Sequence, residues 1–122
     1  MVRLVIPGAL PSMNDIILLA RGDKYASNKQ KKEYTDMVAF LAKQAKLPRM
    51  NKVDVAIHWY ESDKRRDKDN IMAGTKFIFD GLVMAGVLPN DGWKQIGDVT
   101  HRFRVDRANP RVEVELIEIK AS

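Results

Sequence analysis

The spacing of hydrophobic residues changes along this chain in a set order, and that order limits the folds open to it. Val2, Leu4 and Ile6 alternate with Arg3 and Val5 and stop at Pro7-Gly8, the pattern of a short strand. A polar, Asn-containing loop is expected next. From Asn28 to Lys46 the apolar positions Tyr34, Met37, Val38, Leu41, Ala42 and Ala45 recur at three and four, one stripe of a helix with Pro48 beyond its end. Between residues 52 and 60, Val53, Val55, Ile57 and Trp59 share one face of a strand, and Asp54, His58 and Tyr60 share the other. A second helix is expected from Asn70 as N-cap, burying Ile71, Thr75, Ile78, Phe79, Leu82 and Val83 and closing at Gly86.

The tail reads as an antiparallel hairpin. Val99, His101, Phe103 and Val105 take one face and Thr100, Arg102 and Arg104 the other, with Asn109-Pro110 at the turn. In the return strand Val112, Val114 and Leu116 alternate before Ile117 and Ile119 shift the phase, which suggests a bulge near Leu116. The order strand, helix, strand, helix, strand, strand predicts a mixed α/β (α+β) fold: a small four-stranded mixed sheet with two helices. At 122 residues a single domain spanning 1–122 is expected, with one core. No apolar run approaches the ~18 residues of a membrane span, and the start, broken by Pro7, has no secretory apolar region. A soluble, cytoplasmic protein is expected.

Chemistry concentrates in Arg65-Arg66-Asp67-Lys68-Asp69-Asn70, which holds almost nothing to bury. In an extended stretch, side chains two apart point the same way, so Asp67 and Asp69 could converge on one hard cation while the basic residues line a polyanion's path. Asp91, in Pro89-Asn90-Asp91-Gly92-Trp93, could supply a third carboxylate if the intervening helix folds back. Carboxylates brought together repel one another and lose hydration, and a divalent cation relieves both costs. Oxygen ligands select Mg²⁺, with Mn²⁺ as substitute, over zinc. Such an ion suits phosphodiester hydrolysis. Taken alone, Asp-x-Asp-Asn is more often only a solvated turn with an Asx cap. A calcium loop lacks its Glu at the required spacing. Asp63 and Asp80 read as surface or helix carboxylates, Asp80 being close enough to stay in reserve.

The absence of cysteine excludes disulfides, thiolate zinc sites and a Cys nucleophile, leaving His58 and His101 as the imidazoles. Twenty-one basic residues against 16 acidic give a net charge of +5, which favours an anionic partner. Arg21, Lys24 and Lys29, and Arg65, Arg66 and Lys68 around the acidic run, are candidate phosphate contacts, though solubility explains such residues too. Tyr25 and Trp93, in expected loops, are candidates for stacking on an unpaired base. Trp59, Phe103 and His101 read as core.

Arg66-Asp67-Lys68-Asp69-Asn70-Ile71, Lys76-Phe77-Ile78-Phe79-Asp80-Gly81-Leu82 and Gly86-Val87-Leu88-Pro89-Asn90-Asp91 together resemble the RusA family of Holliday junction resolvases, crossover junction endodeoxyribonucleases. Pro11-Ser12-Met13-Asn14 resembles that family's Pro-Ser-x-Asn loop, which adds Asn14 to the candidate DNA contacts. Tyr25-Ala26-Ser27 ahead of Tyr34 resembles the lead-in to its first helix. The resemblance covers roughly residues 4 to 105. It implies that Asp67, Asp69 and Asp91 bind magnesium and that a helix lysine assists catalysis. Counted forward from Asn70, that lysine falls on Ala73; counted back from Phe79-Asp80, it falls on Lys76, because three extra residues separate the motifs. Three residues are about 0.8 of a helical turn, and Lys76 is the expected residue. The family's acidic turn often carries two aspartates, where this chain has Asn90 before Asp91. The resemblance further implies a homodimer acting on branched DNA, the four-way junction, in recombination and repair. A twofold enzyme suits a substrate with two equivalent strands to cut.

Overall fold

The computed structural model describes residues 1–119. Four strands, β1 (Val2–Pro7), β2 (Val53–Glu61), β3 (Ile96–Val105) and β4 (Arg111–Glu118), form one mixed sheet in the order β1-β4-β2-β3. The helices are α1 (Met13–Gly22), α2 (Lys24–Gln44), α3 (Lys68–Met72) and α4 (Thr75–Met84). The expected mixed sheet is present, and each of the two expected helices is joined by a shorter one. No helix among the described residues is long and apolar enough to cross a membrane.

One face of the sheet makes the core. Leu4 and Ile6 of β1, Val53, Val55, Ile57 and Trp59 of β2, and Val112, Val114 and Leu116 of β4 are all buried against Val38 and Ala42 of α2 and Phe77, Ile78 and Leu82 of α4. Each large apolar side chain taken out of water contributes about 1.5–3 kcal/mol. Two glycines set how closely these layers approach. A Cβ on Gly81 would stand 2.5 Å from the Val38 Cβ, so α2 and α4 meet there backbone to side chain. A Cβ on Gly74 would stand 2.9 Å from the Leu10 Cβ and 3.2 Å from the Trp59 Cη2.

Three sequence expectations are corrected. The segment after Pro7-Gly8 is not a loop throughout: Ser12 accepts from the Asp15 N–H at 3.2 Å and Asp15 accepts from the Ser12 N–H at 2.9 Å, a capping box that starts α1. The tail is not a hairpin. β3 pairs with β2 in parallel, while β4 inserts antiparallel between β1 and β2, so the 106–110 connection arches over the end of β2. The Asp106 N–H donates to the Glu61 carbonyl at 2.8 Å, and the Arg111 guanidinium lies 3.8 Å from the Tyr60 ring centroid beneath that arch. No bulge occurs at Leu116, since β4 keeps register with both neighbours from residue 111 onward and Ile117 simply faces solvent. The irregularity falls instead in the β2–β3 ladder, between Val53 and Val55.

Parallel neighbours need a crossover, and α3 with α4 provide it between β2 and β3. The carboxyl ends of β2 and β3 therefore lie side by side, with the start of α3 rising directly from them. Open α/β sheets characteristically bind ligands outside such strand ends.

Candidate active site

Arg66 fixes the chain where it leaves β2. Its Nε and Nη2 donate to the two carboxylate oxygens of Glu61 at 2.8 and 2.9 Å, and its Nη1 donates to the Leu10 carbonyl at 2.8 Å. A forked Arg–carboxylate pair is both strong and directional. It ties the last residue of β2 and the loop before α1 to the residue preceding Asp67. Read from sequence as a phosphate contact, Arg66 has its guanidinium committed internally.

Asp67 is the N-cap of α3, with φ −69 and ψ 154, yet its side chain makes no capping hydrogen bond. Its carboxylate thus stands at the positive end of a helix with its acceptor capacity unspent. Asp69 lies in the first turn and accepts from the Asn70 N–H at 2.9 Å. The expectation of an extended Asp-x-Asp is therefore corrected, since only Asp67 is extended and Asp69 is already helical. Both aspartates nonetheless line one cleft of about 720 Å³, with Glu61, Lys68, Phe103 and Arg104 among its other walls. Lys68 Nζ sits 5.5 Å from the Phe103 ring centroid, within cation–π range. Arg65 is exposed and bends back on Asp63, 3.4 Å from its carboxylate.

The second half of the site sits on α4 and the turn after it. The expected single helix from Asn70 is broken at Ala73-Gly74, where Leu10 and Trp59 leave no room for a side chain, and it restarts at Thr75. The three residues that separate the motifs fall at this break. Lys76, in the first turn of α4, donates to Asp80 Oδ1 at 3.0 Å and lies 4.0 Å from Asp91 Oδ2. The hydrogen bond to Asp80, with the nearby carboxylates, holds the ammonium above its ordinary range. Asp91 has its N–H held by the side-chain oxygen of its neighbour Asn90 at 2.8 Å and lines a smaller cleft with Trp93.

The structure thus brings Asp67 together with Asp69, and Lys76 together with Asp91 and Asp80. Among the described residues, no three carboxylate- or imidazole-bearing side chains gather as a ready metal cage. The donor chemistry itself suits a hard cation: oxygen atoms only, with the Asp67 carboxylate left free of any cap bond.

The other sequence candidates scatter. Asn14 is exposed within α1 rather than in a loop, and Arg21, Lys24 and Lys29 lie exposed about the α1–α2 junction, Lys29 being 3.9 Å from Glu33. Trp93 is 96% exposed and Tyr25 77%, so both rings are available for stacking. His101 is satisfied as expected: its Nδ1 accepts from Trp59 Nε1–H at 3.0 Å, and burial pushes the imidazole below its usual pKa. Trp59 is core, whereas Phe103, expected to be core, is half-buried at the cleft wall. Glu61, Phe103 and Arg104 were not foreseen at the site. Nothing in their local sequence marks them, because the parallel pairing of β2 and β3 places them there. Asp80 was foreseeable from its i, i+4 spacing to Lys76.

The family described as endodeoxyribonuclease RusA matches residues 8–117, nearly the whole chain and every residue of both clusters. None of the curated proteins matches it.

Proposed function

The chain belongs to the RusA endodeoxyribonuclease family, and from that premise we propose that it is a magnesium-dependent, structure-selective endonuclease that resolves four-way DNA junctions by paired symmetric nicks. The observation that carries this reading is the cleft at the carboxyl ends of β2 and β3, whose walls Asp67 and Asp69 share with Lys68 and Arg104. Negative groups that want a cation are thereby set among positive groups that want phosphate.

Asp67 and Asp69 would hold Mg²⁺; Asp91, which lines a separate cleft beside Lys76, is the third ligand that the family implies. A divalent ion so placed supplies Lewis-acid charge to the scissile phosphate. The chain's own residues supply the rest. Lys68 and Arg104 draw the DNA backbone toward the carboxylates through salt-sensitive contacts. Lys76 keeps its proton near neutral pH, so it serves as a fixed positive charge for the developing negative charge on the phosphorus oxygens and not as a base. The fork between Arg66 and Glu61 holds the segment that presents Asp67 in place.

Incubating the protein with a mobile synthetic four-way junction, with and without Mg²⁺, and mapping the cuts tests this function. Paired nicks at matching positions in opposed strands, dependent on Mg²⁺, are expected. Equal cutting of flaps, forks and RNA would instead make it a less selective nuclease. Binding without cutting in Mg²⁺ or Mn²⁺ would make it a nucleic-acid-binding module.

A further inference from the structure

Arg66 has a cavity on each side. One is the acidic cleft, and the other, of about 510 Å³, lies between α1, the first half of α2 and residues 9–11. α1 leaves this space open because none of its residues is fully buried. The volume falls within the range of about 300–1,000 Å³ that takes ligand-sized groups. Leu10, Pro11, Leu18, Leu19 and Tyr34 make the walls apolar, and Asp15, Gln30 and Arg66 supply the polar groups. The Tyr34 ring is braced against Phe77, 5.7 Å away between centroids. Because the Arg66 charge is matched by Glu61, the charge left over in the cavity is the negative one of Asp15. That disfavours a phosphate. It favours a flat, uncharged, largely apolar group that donates hydrogen bonds, since Asp15 spends Oδ2 on the Ser12 N–H and keeps Oδ1 as an acceptor.

Resting on the junction-resolving function proposed above, we propose that this cavity takes one nucleobase, turned out of the junction beside the scissile phosphate, and that Asp15 and Gln30 read its identity. Continuity with the cleft is what brings DNA here: Arg66 walls both cavities, and Asp67, the next residue, belongs to the cleft. A strand with its phosphate at the aspartates has a neighbouring base to place on the far side of Arg66. Turning a base out costs a few kcal/mol of stacking and pairing, and least where pairing is already broken. A branch point is such a place, so the cavity also gives a physical reason to prefer junctions over plain duplex. The Asp15 carboxylate makes the choice among bases. Adenine, cytosine and guanine each present an exocyclic amino group to it, whereas thymine presents one N–H between two carbonyl oxygens that a carboxylate repels. Gln30 both donates and accepts, so it strengthens the contact with whichever base enters. The cavity therefore takes an amino-bearing base and rejects thymine.

Junction affinity measured without Mg²⁺, across four-way junctions that differ in the base at each position around the crossover, tests this reading. At one position, thymine should weaken wild-type binding about tenfold relative to the other three bases. Asp15→Asn keeps an acceptor for the Ser12 N–H and adds an amide donor, so it should bring thymine within about twofold of the others. Gln30→Ala should weaken binding of the preferred junctions about threefold or more and leave the thymine junction unchanged, because only a base seated in the cavity meets Gln30. No base preference at any position overturns the proposal, and so does a preference that both variants leave intact. Equal losses on every junction would make Asp15 and Gln30 general supports of the DNA-binding surface, which overturns it as well. Cleavage of the same junctions in Mg²⁺ separates the two readings. Paired cuts without base preference overturn the cavity's role and keep the nuclease; a preference governed by Asp15 in a protein that never cuts does the reverse.

Discussion

In the proposed mechanism single residues carry the chemistry, and Lys76 makes the sharpest case. Its ammonium is held by Asp80 and faces Asp91, so it remains charged at any pH below its ordinary 10.5. Lys76→Ala is expected to lower the single-turnover cleavage rate by roughly a hundredfold with little change in junction affinity, the signature of an interaction made in the transition state. The deficit should be the same from pH 6 to 9, because Lys76 does not titrate in that range. A drop in affinity at unchanged rate would make it a phosphate tether. His101 gives an acid limit on stability. Its pKa is lowered in the folded state, so the unfolded chain takes up the proton first, and stability falls as pH drops below about 6.5. Protonation also turns the acceptor of the Trp59 N–H into a donor. Urea titrations at pH 7 and pH 5 should show the loss, and His101→Gln, which keeps an acceptor that does not titrate, should flatten it. The low pKa of Asp106 beside Arg111 acts below 3.8 and does not confuse the comparison.

Elements position those residues, and their junctions are where small changes cost most. Gly74→Ala would press a methyl group against Leu10 and Trp59 at the break between α3 and α4. It should destabilise the protein by about 1–3 kcal/mol, as overpacking does, and displace Lys76 from Asp91, which a denaturation curve and a cleavage assay would register together. Ser12→Ala, which removes half of the capping box of α1, should cost about 1 kcal/mol with cleavage intact. The elements were legible in the sequence wherever one face is buried: the alternation of Val53, Val55, Ile57 and Trp59 and the stripe from Tyr34 to Ala42 both mark true core. α1 was not legible, because Ile16, Ile17, Leu18 and Leu19 run consecutively and no residue of the helix is fully buried. The imagined hairpin failed for a related reason. Alternation tells which face of β3 and β4 is apolar, but not which strand lies beside which, and the arch from Asp106 to Pro110 is short enough to serve either topology. That Asp67 and Asp69 share one cleft was legible and their backbone geometry was not, since nothing in Arg66-Asp67-Lys68-Asp69 announces that the helix begins at Lys68.

At the scale of the whole molecule, β2 and β3 run parallel, and everything at the site follows from that. The crossover through α3 and α4 carries Asp67 and Asp69 to the strand ends, and the register of Glu61 with Val105 brings Phe103 and Arg104 to the same cleft. If the molecule works as a twofold pair, mixing wild-type with Asp69→Asn subunits should give heterodimers that nick one strand and rarely resolve a junction; full resolution without subunit exchange would mean the two clefts act independently. The central claim is that the aspartates perform the chemistry while the basic residues hold the DNA. Its most direct test is the single-turnover cleavage rate of Asp67→Asn, Asp69→Asn and Asp91→Asn at saturating Mg²⁺, measured beside junction affinity in the same samples. The account predicts folded variants that bind the junction about as tightly as the wild type and cut it at least about a hundredfold more slowly; normal cutting by all three would contradict it.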